Sequence, residues 1–386
     1  MRGVSVIGVG ITSFGARSES AVELGARACR LAMGDAGLGP GRMEAFFLGN
    51  FAGHAFTGQN HLAPMIAHAA GLDAVPCSRL EGACASGGLA MRQGVLAVAS
   101  GAAEVVLVAG VEKMTSAATE ETTRILASAG DYKTEALVGA TFPALFALIA
   151  RRHMHEFGTT REDLAAVAVK NHAHGQLNPN AHLQKEITLQ EALDARPVAD
   201  PLGLFDCSLI SDGAAAVVLC LTEGAADLHP KPVAVLASEQ ASDSPALADK
   251  RDITRFRATE RASERAFLRA DLQPGDVDLA EVHDCFTIAE IVALEDIGFY
   301  RKGEGSRGAR EGETALGGAM PVNPSGGLKA KGHPVGATGV AQVCEVVTQL
   351  RGEAGPRQVP GAEVGLAHNL GGSGATCAVH ILSSRG

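Results

Sequence analysis

Hydrophobic and polar residues follow one another in blocks that predict buried strands alternating with helices. The apolar run 3–10 ends at a glycine turn and predicts a buried strand. Residues 20–38 carry apolar side chains at helical spacing, and Ser20 with Glu23 forms the capping-box pattern of a helix start. The continuous β-branched run 104–112 is typical of a strand that is covered on both faces.

The same alternation continues in the second half of the chain and indicates an α/β fold with strands buried on both faces. The predicted strands lie at 212–221, 232–238, 279–283, 363–368 and 376–382, and the predicted helices at about 258–270, 287–299 and 336–350.

Two features interrupt or repeat this pattern. Between about Met114 and Leu209 charged residues, histidines and asparagines become frequent, which predicts an inserted and more exposed region. An internal repeat is also indicated, since a loop with Cys84 precedes a helix and the strand 104–112, and a loop with His333 precedes a helix and the strand 363–368. The repeat is one of pattern and not of letters.

Composition excludes several classes of protein. The chain has 386 residues, 46% hydrophobic and 20% charged, as in ordinary globular proteins. A net charge of −10 without a basic stripe argues against a nucleic-acid partner. No apolar segment reaches the ~20 residues that span a bilayer, and the N-terminus has no signal-peptide pattern, so we expect a cytoplasmic protein. The eight cysteines contain no CxxC pair, which argues against a zinc ribbon.

Cys84 and His333 are the first candidates for chemistry. Small residues flank Cys84 in GACASGG and allow a ligand to approach the backbone, and the helix start that follows is expected to lower the thiol pKa. A helix-packing interface of small residues is the structural alternative. His333 stands between Gly332 and Pro334 in a tight turn before a helix, and a purely structural turn remains open for it.

His283, Cys285 and His368 follow predicted strand ends, where α/β folds build reaction centres. These residues, with His333, could supply metal ligands, but the glycine-proline setting favours acyl chemistry, and we predict no metal. A disulfide with Cys84 is not expected in a reducing compartment. Alternation along an extended segment places residues 283 and 285 on one side and Asp284 on the other.

Four segments together resemble the thiolase family: CASG at Cys84, NPSGG followed by GHPVGATG at His333, and DGAAAVVL at 212–219. Most thiolases carry Asn-Glu-Ala-Phe where this chain has HDCF at 283–286, and a second cysteine where it has HNLGGSG. These departures, and the segment 171–182, resemble the sterol-carrier-protein branch.

The resemblance implies a thiolase fold, with two similar βαβαβαββ halves in a five-layered α-β-α-β-α core. It places the N-terminal half at 1–230, with the inserted loop domain at about 114–209, and the C-terminal half at 231–386. It also implies an acyl-CoA substrate, coenzyme A as substrate or product and no bound cofactor. A homodimer or a dimer of dimers is expected, and a small OB-fold and zinc-ribbon partner protein is plausible.

Residue roles are likewise implied by the resemblance. Cys84 attacks a thioester and carries the acyl group, His333 takes the thiol proton, and Cys285 moves the proton at the substrate α-carbon. His283 and His333 polarise the thioester oxygen of the CoA substrate. The remaining assignments are an oxyanion donor at Cys84 N with Leu370 or Gly371, support from His368, and substrate contact by Ser325 and Gly326.

Three rival functions stay open at this point. A decarboxylating ketoacyl synthase shares the fold and a cysteine with two histidines, but the HDCF and GHP signatures argue against it. A retro-aldolase acting on a hydroxyacyl-CoA needs no acyl-enzyme, so an intact Cys84 favours thiolase chemistry. A non-catalytic acyl-CoA or lipid-binding scaffold is the third. The sequence does not reveal the acyl chain.

Overall fold

The computed structural model describes residues 2–385, which form a mixed α/β structure. Its strands are β1 (Val4–Ile11), β2 (Ala45–Gly49), β3 (Cys77–Leu80), β4 (Val105–Glu112), β5 (Pro197–Ala199), β6 (Leu202–Gly203), β7 (Gly213–Leu221), β8 (Val233–Ser242), β9 (Leu279–Glu281), β10 (Val364–Gly371) and β11 (Thr376–Ser383). Its α-helices are α1 (Ala21–Asp35), α2 (Gly53–Thr57), α3 (Leu62–Ala70), α4 (Ser86–Ser100), α5 (Thr119–Ala127), α6 (Phe142–Phe157), α7 (Arg161–Gln176), α8 (Leu189–Leu193), α9 (Ala225–Leu228), α10 (Arg257–Ala270), α11 (Thr287–Ile297), α12 (Gly305–Arg310), α13 (Gly327–Ala330) and α14 (Thr338–Leu350).

Strand pairing confirms the internal repeat. The nine-stranded sheet has the order β3-β2-β4-β7-β1-β8-β11-β10-β9. In the first half β4 pairs parallel with β2 and antiparallel with β7, and in the second half β10 pairs parallel with β9 and antiparallel with β11. The strand that would match β3 is reduced to a single parallel bridge between Ala280 and Val322.

The core confirms the five layers, because the two faces of the strands pack against different helices. Along β7, Ala216 and Val218 face one apolar cluster with α1 and α3, while Val217 and Leu219 face a second cluster with α4 and α14. A third cluster packs β10 and β11 against α10 and α11. The order is therefore outer helices, first-half strands, central helices, second-half strands and outer helices.

Glycines let the two central helices approach at their N-termini. A Cβ added to Gly87 would lie 2.9 Å from the carbonyl oxygen of Gly336 and 3.0 Å from the nitrogen of Gly339. At Gly110 in β4 an added Cβ would lie 2.3 Å from the same Gly336 oxygen. The Glu112 carboxylate accepts the Gly336 N–H at 3.0 Å. These contacts bring the loops before α4 and α14 together.

The region inserted between β4 and β7 is mainly helical, with the two short strands β5 and β6. The expectation of greater exposure is wrong for its helices α6 and α7. Phe146, Ile149 and Leu164 are buried in the third cluster. The polar residues that suggested exposure instead make buried contacts, since Asn171 donates to Asp284 and Glu290 at 2.8 Å each. The proposed division of the chain at residues 230/231 stays a prediction.

We expect Gly110→Ala to lower the free energy of unfolding by about 1–3 kcal/mol, because overpacking forces the backbone apart at the contact between β4 and the His333 loop. Urea unfolding followed by circular dichroism measures the change. Gly34→Ala is the matched control: Gly34 is an exposed position of helix α1 and its added Cβ meets nothing within 4 Å, so stability should stay level or rise by up to about 1 kcal/mol. Equal destabilisation of both variants would contradict the role of the close contact.

Candidate active site

Cys84 lies in a tight turn that ends at the first residue of α4. Ala83 adopts a left-handed φ of 52°, and Ser86 Oγ accepts the Gly82 N–H at 3.0 Å. A non-glycine residue in this conformation is held there by its surroundings. The turn directs Cys84 toward an apolar cavity of about 160 Å³, which is also lined by Cys285, His333 and Gly372.

His333 enters the same cavity from the second half. Gly332 has φ 110°, a conformation that favours glycine, and Pro334 follows, so the histidine is fixed in its turn. His333 Nδ1 lies 2.7 Å from Thr338 Oγ1, and the Thr338 hydroxyl lies 3.1 Å from the Pro334 carbonyl oxygen. A hydroxyl that donates to Pro334 can accept the Nδ1–H of His333, which leaves a lone pair on Nε2.

The segment 283–286 follows β9, and its alternation is as predicted. Cys285 lines the cavity, while the Asp284 carboxylate points into the protein and accepts the Leu328 N–H at 2.7 Å. The His283 N–H donates to His368 Nδ1 at 3.3 Å, and His368 Nε2 lies 2.9 Å from Thr259 Oγ1. His368 therefore supports the backbone of His283.

A buried lysine also holds this segment. Lys329 is 1% exposed and donates to the carbonyl oxygens of Asp206 at 2.7 Å and Asp284 at 3.2 Å. Burial raises the pKa of Cys285 and lowers the pKa of His333, and the nearby Lys329 charge opposes the first shift and adds to the second. The lysine thus anchors the backbone beside Cys285 from the side opposite the cavity.

Cys84, His283 and His333 converge as the sequence predicted. The Sγ atom of Cys84 and one ring nitrogen from each histidine lie within 4.8 Å of one another. The two imidazole rings stand nearly perpendicular, with their centroids 5.1 Å apart. Thiol and imidazoles in this arrangement can transfer a proton and stabilise an oxyanion. The absence of a bound metal stays a prediction.

The pKa of Cys84 differs from the sequence expectation, and the pKa of His333 differs from that of an ordinary imidazole. Burial raises the pKa of the Cys84 thiol to about 12, so desolvation outweighs the helix start that was expected to lower it. Burial lowers the pKa of His333 to about 3, below the ordinary value near 6.5. Both groups are therefore neutral at pH 7.

Two further assignments need correction. The oxyanion donor expected at Leu370 or Gly371 stays a prediction, and the next residue, Gly372, lines the cavity together with Cys84. Ser325 and Gly326 do not line the cavity. Ser325 is buried, and its hydroxyl donates to Glu281 at 2.7 Å, while Gly326 packs against the backbone of Gly175.

The residues that shape the cavity and connect the two halves are not identified by the sequence motifs. Phe142, Phe146 and Phe286 form an aromatic wall, in which Phe146 and Phe286 stack with centroids 4.6 Å apart. Asn369 joins Cys84 to His283 through its side-chain amide. The motif HN at 368–369 places Asn369 next to a candidate histidine, and this is the sequence signal that could have identified it.

Family comparison agrees with this geometry. The family model described as thiolase, N-terminal domain, matches residues 4–223, and the one described as thiolase C-terminal domain-like matches residues 239–384. The chain belongs to the thiolase family. An acetyl-CoA acetyltransferase of Methanothermobacter thermautotrophicus is 53% identical to this thiolase over 384 residues, which cover 99% of this chain and 100% of the relative. The thiolase is thus an acyltransferase.

Other relatives confirm the branch. Sterol carrier protein 2 of Bos taurus is 35% identical over 388 residues, covering 96% of this chain and 70% of that protein. Among solved structures, the Ltp2-ChsH2(DUF35) aldolase has a TM-score of 0.87 at 27% identity, covering 99% of this chain and 98% of that one. Human mitochondrial 3-ketoacyl-CoA thiolase in complex with CoA has a TM-score of 0.79 at 20% identity, covering 99% and 98%, and shows the shared fold.

Within residues 2–385, the helices are all too short or too polar to cross a membrane.

We expect Thr338→Val to slow alkylation of Cys84 by iodoacetamide at pH 7 by about 5–10-fold, since one lost hydrogen bond of about 1 kcal/mol frees His333 to turn or change tautomer. The rate is followed by intact mass, with Cys84→Ala identifying the reacting thiol. Thr338→Ser keeps the hydroxyl and should react like the unaltered enzyme. Equal rates for the valine and serine variants would show that Thr338 does not orient His333.

Proposed function

We propose that this thiolase makes or cleaves a 3-oxoacyl-CoA through an acyl-enzyme on Cys84, with acetyl-CoA as one of its substrates. The position of Cys84, Cys285 and His333 around one apolar cavity, with His283 close to Cys84 and His333, carries the proposal. The acetyl-CoA acetyltransferase relative supports the choice of substrate. Coenzyme A enters or leaves as the thiol partner, and no cofactor is bound.

In the first step the Cys84 sulfur attacks the thioester carbonyl while its proton passes to His333 Nε2. The C–S bond to coenzyme A then breaks, and the leaving thiolate takes the proton from His333. The main-chain N–H groups of Cys84 and of Leu370 or Gly371 are the expected donors to the negative charge on the carbonyl oxygen, and the position of the next residue, Gly372, in the cavity wall with Cys84 supports this. Because Cys84 and His333 are both neutral before the reaction, no charge is buried until the substrate is in place.

In the second step Cys285 moves a proton at the α-carbon of the second substrate. Burial raises the pKa of Cys285 well above that of an ordinary thiol, so it rests as the proton-carrying form. In the condensing direction the Cys285 proton first passes to His333, and the resulting thiolate takes the α-proton. The enolate carbon then attacks the acyl group on Cys84, the C–S bond to Cys84 breaks, and the Cys84 sulfur takes the proton from His333. His283 and His333 face the thioester oxygen, on which the enolate charge develops.

The cavity sets a size for the acyl group. Its wall is mainly apolar, with three phenylalanines and Met114, and its volume is about 160 Å³. An apolar protein cavity of roughly 150 Å³ holds a benzene molecule. We therefore expect acetyl to be accepted together with short or compact apolar acyl groups, and long straight chains to be excluded.

The assembly and location are also proposals. A homodimer or a dimer of dimers in the cytoplasm is expected, and use in β-oxidation or in synthesis follows the supply of coenzyme A and acyl-CoA. The similarity to the Ltp2-ChsH2(DUF35) aldolase supports an OB-fold and zinc-ribbon partner protein. The same similarity makes retro-aldol cleavage of a hydroxyacyl-CoA the second candidate function.

We predict a mass gain equal to the acyl group when the protein is incubated with a panel of short acyl-CoA and 3-oxoacyl-CoA esters, because Cys84 retains the acyl group. Intact-protein mass spectrometry measures the gain, and the Cys84→Ala variant should show none. Benzoyl-sized esters should acylate, and a sixteen-carbon ester should not. Release of an aldehyde or ketone from a hydroxyacyl-CoA without acylation would replace the thiolase reading by the aldolase one.

We predict that Cys285→Ala keeps acylation of Cys84 but lowers the rate of carbon–carbon bond cleavage by about 10²–10⁴-fold, the usual contribution of a positioned proton carrier. Single-turnover acylation and steady-state thiolysis of acetoacetyl-CoA separate the two steps. Cys207→Ala removes another thiol of the cavity wall and serves as the control. Unimpaired thiolysis in Cys285→Ala would remove Cys285 from the mechanism.

A further inference from the structure

Asn369 lies in β10 at the contact between the halves, and both atoms of its side-chain amide have fixed partners. Its Oδ1 accepts the backbone N–H of Gly88 at 3.0 Å, and its Nδ2 donates to the backbone carbonyl of Cys84 at 2.9 Å. A backbone N–H can only donate and a carbonyl oxygen can only accept. Two separate hydrogen bonds therefore determine the orientation of the amide, and neither of them involves a histidine.

The second proton on Asn369 Nδ2 faces His283. The distance from Nδ2 to His283 Nδ1 is 3.2 Å, and both residues are buried. Since Nδ2 is a donor only, Nδ1 of His283 has to accept, which places the single ring proton of the neutral imidazole on Nε2. A proton on Nδ1 would point at the amide protons, so both the other tautomer and the imidazolium are disfavoured.

Room for this amide is provided by two glycines. A Cβ added to Gly88 would lie 3.0 Å from Asn369 Oδ1, and one added to Gly339 would lie 2.2 Å from the same atom. Gly88 belongs to α4 and Gly339 to α14, so the asparagine occupies the gap between the two central helices. The amide is thus enclosed and has no alternative orientation that satisfies Gly88 and Cys84.

We propose that Asn369 is a positioning residue that holds His283 in the Nε2–H tautomer, so that His283 enters the reaction as a hydrogen-bond donor and not as a base. Thr338 has the opposite effect on His333, whose Nε2 carries a lone pair. The hydrogen-bond partner at Nδ1 therefore gives each of the two neighbouring imidazoles a different role: His283 donates a hydrogen bond through Nε2, and His333 accepts a proton there. The consequence for turnover rests on the proposed function, whereas the tautomer itself does not.

The tautomer can be measured on the unaltered enzyme. Protein labelled with ¹⁵N-histidine is studied by magic-angle-spinning NMR, and the His283 signals are assigned by difference against His283→Gln. We expect an unprotonated Nδ1 and a protonated Nε2 at neutral pH. A protonated Nδ1 on His283 in the unaltered enzyme would overturn the proposal without any variant having to fold.

Asn369→Asp supplies the causal test, because a carboxylate in place of the amide accepts from Nδ1 and should move the proton there. Gln342→Glu is the matched control, since Gln342 Nε2 donates to the His368 carbonyl at 2.9 Å in the same buried layer without facing the His283 ring. The control should leave the His283 signals in place. An Nδ1 signal that stays unprotonated in Asn369→Asp, or that changes equally in Gln342→Glu, would contradict the role of Asn369.

Kinetics then separate positioning from general damage. Loss of one oxyanion donor costs about 10²–10³-fold in rate, so Asn369→Asp should lower carbon–carbon cleavage by that factor. Acylation of Cys84 by an acyl-CoA should fall by only about fivefold, because that step uses main-chain donors and loses only the hydrogen bond from Asn369 to the Cys84 carbonyl. Equal loss of both steps would mark Asn369 as a purely structural residue. Failure of the unaltered enzyme to acylate would count against the proposed function and leave the tautomer result intact.

Discussion

The site depends on the close approach of the two central helices at their N-termini. Gly87 in α4 and Gly336 and Gly339 near α14 bring two backbones to a distance that no side chain would permit. The turns before these helices carry Cys84 and His333, so the approach itself places the thiol beside the imidazole. Neither half of the chain contains the complete site.

Enclosure between layers explains the unusual charge state of the site. The same packing that aligns the reacting groups also removes water from them, which disfavours both thiolate and imidazolium. Proton positions must then be set by hydrogen bonds and not by bulk pH. Thr338, Asn369 and Thr259 supply these bonds at the three histidines. The positions of the protons thus follow from neighbours that touch no substrate.

Sequence patterns predicted the long elements and the repeat, because apolar strands such as β4 and β7 are buried on both faces and read as continuous runs. They missed β2 and β3, since a five-residue strand and a polar edge strand carry little periodic signal. The polar residues in the sequence of α7 predicted an exposed helix, although Asn171 is buried among polar partners from distant segments. Such partners cannot be seen in a linear pattern.

The chemistry of the site was predictable to a similar degree. The motifs identified Cys84, Cys285 and His333, which line one cavity, and His283, which lies next to Cys84 and His333. The pKa directions were not predictable, because a helix start is visible in sequence and the extent of burial is not.

The equivalence of the two repeats has a consequence for how this enzyme could arise. Cys84 and His333 occupy corresponding places, each in the turn before a central helix. Two identical copies of such a half, facing each other across an axis, would present the same residue twice. A nucleophile and its base cannot be the same side chain, so a symmetric pair could not divide the labour. When the two halves are joined in one chain, the two corresponding positions can carry different residues. One position can then hold the nucleophile and the other its base.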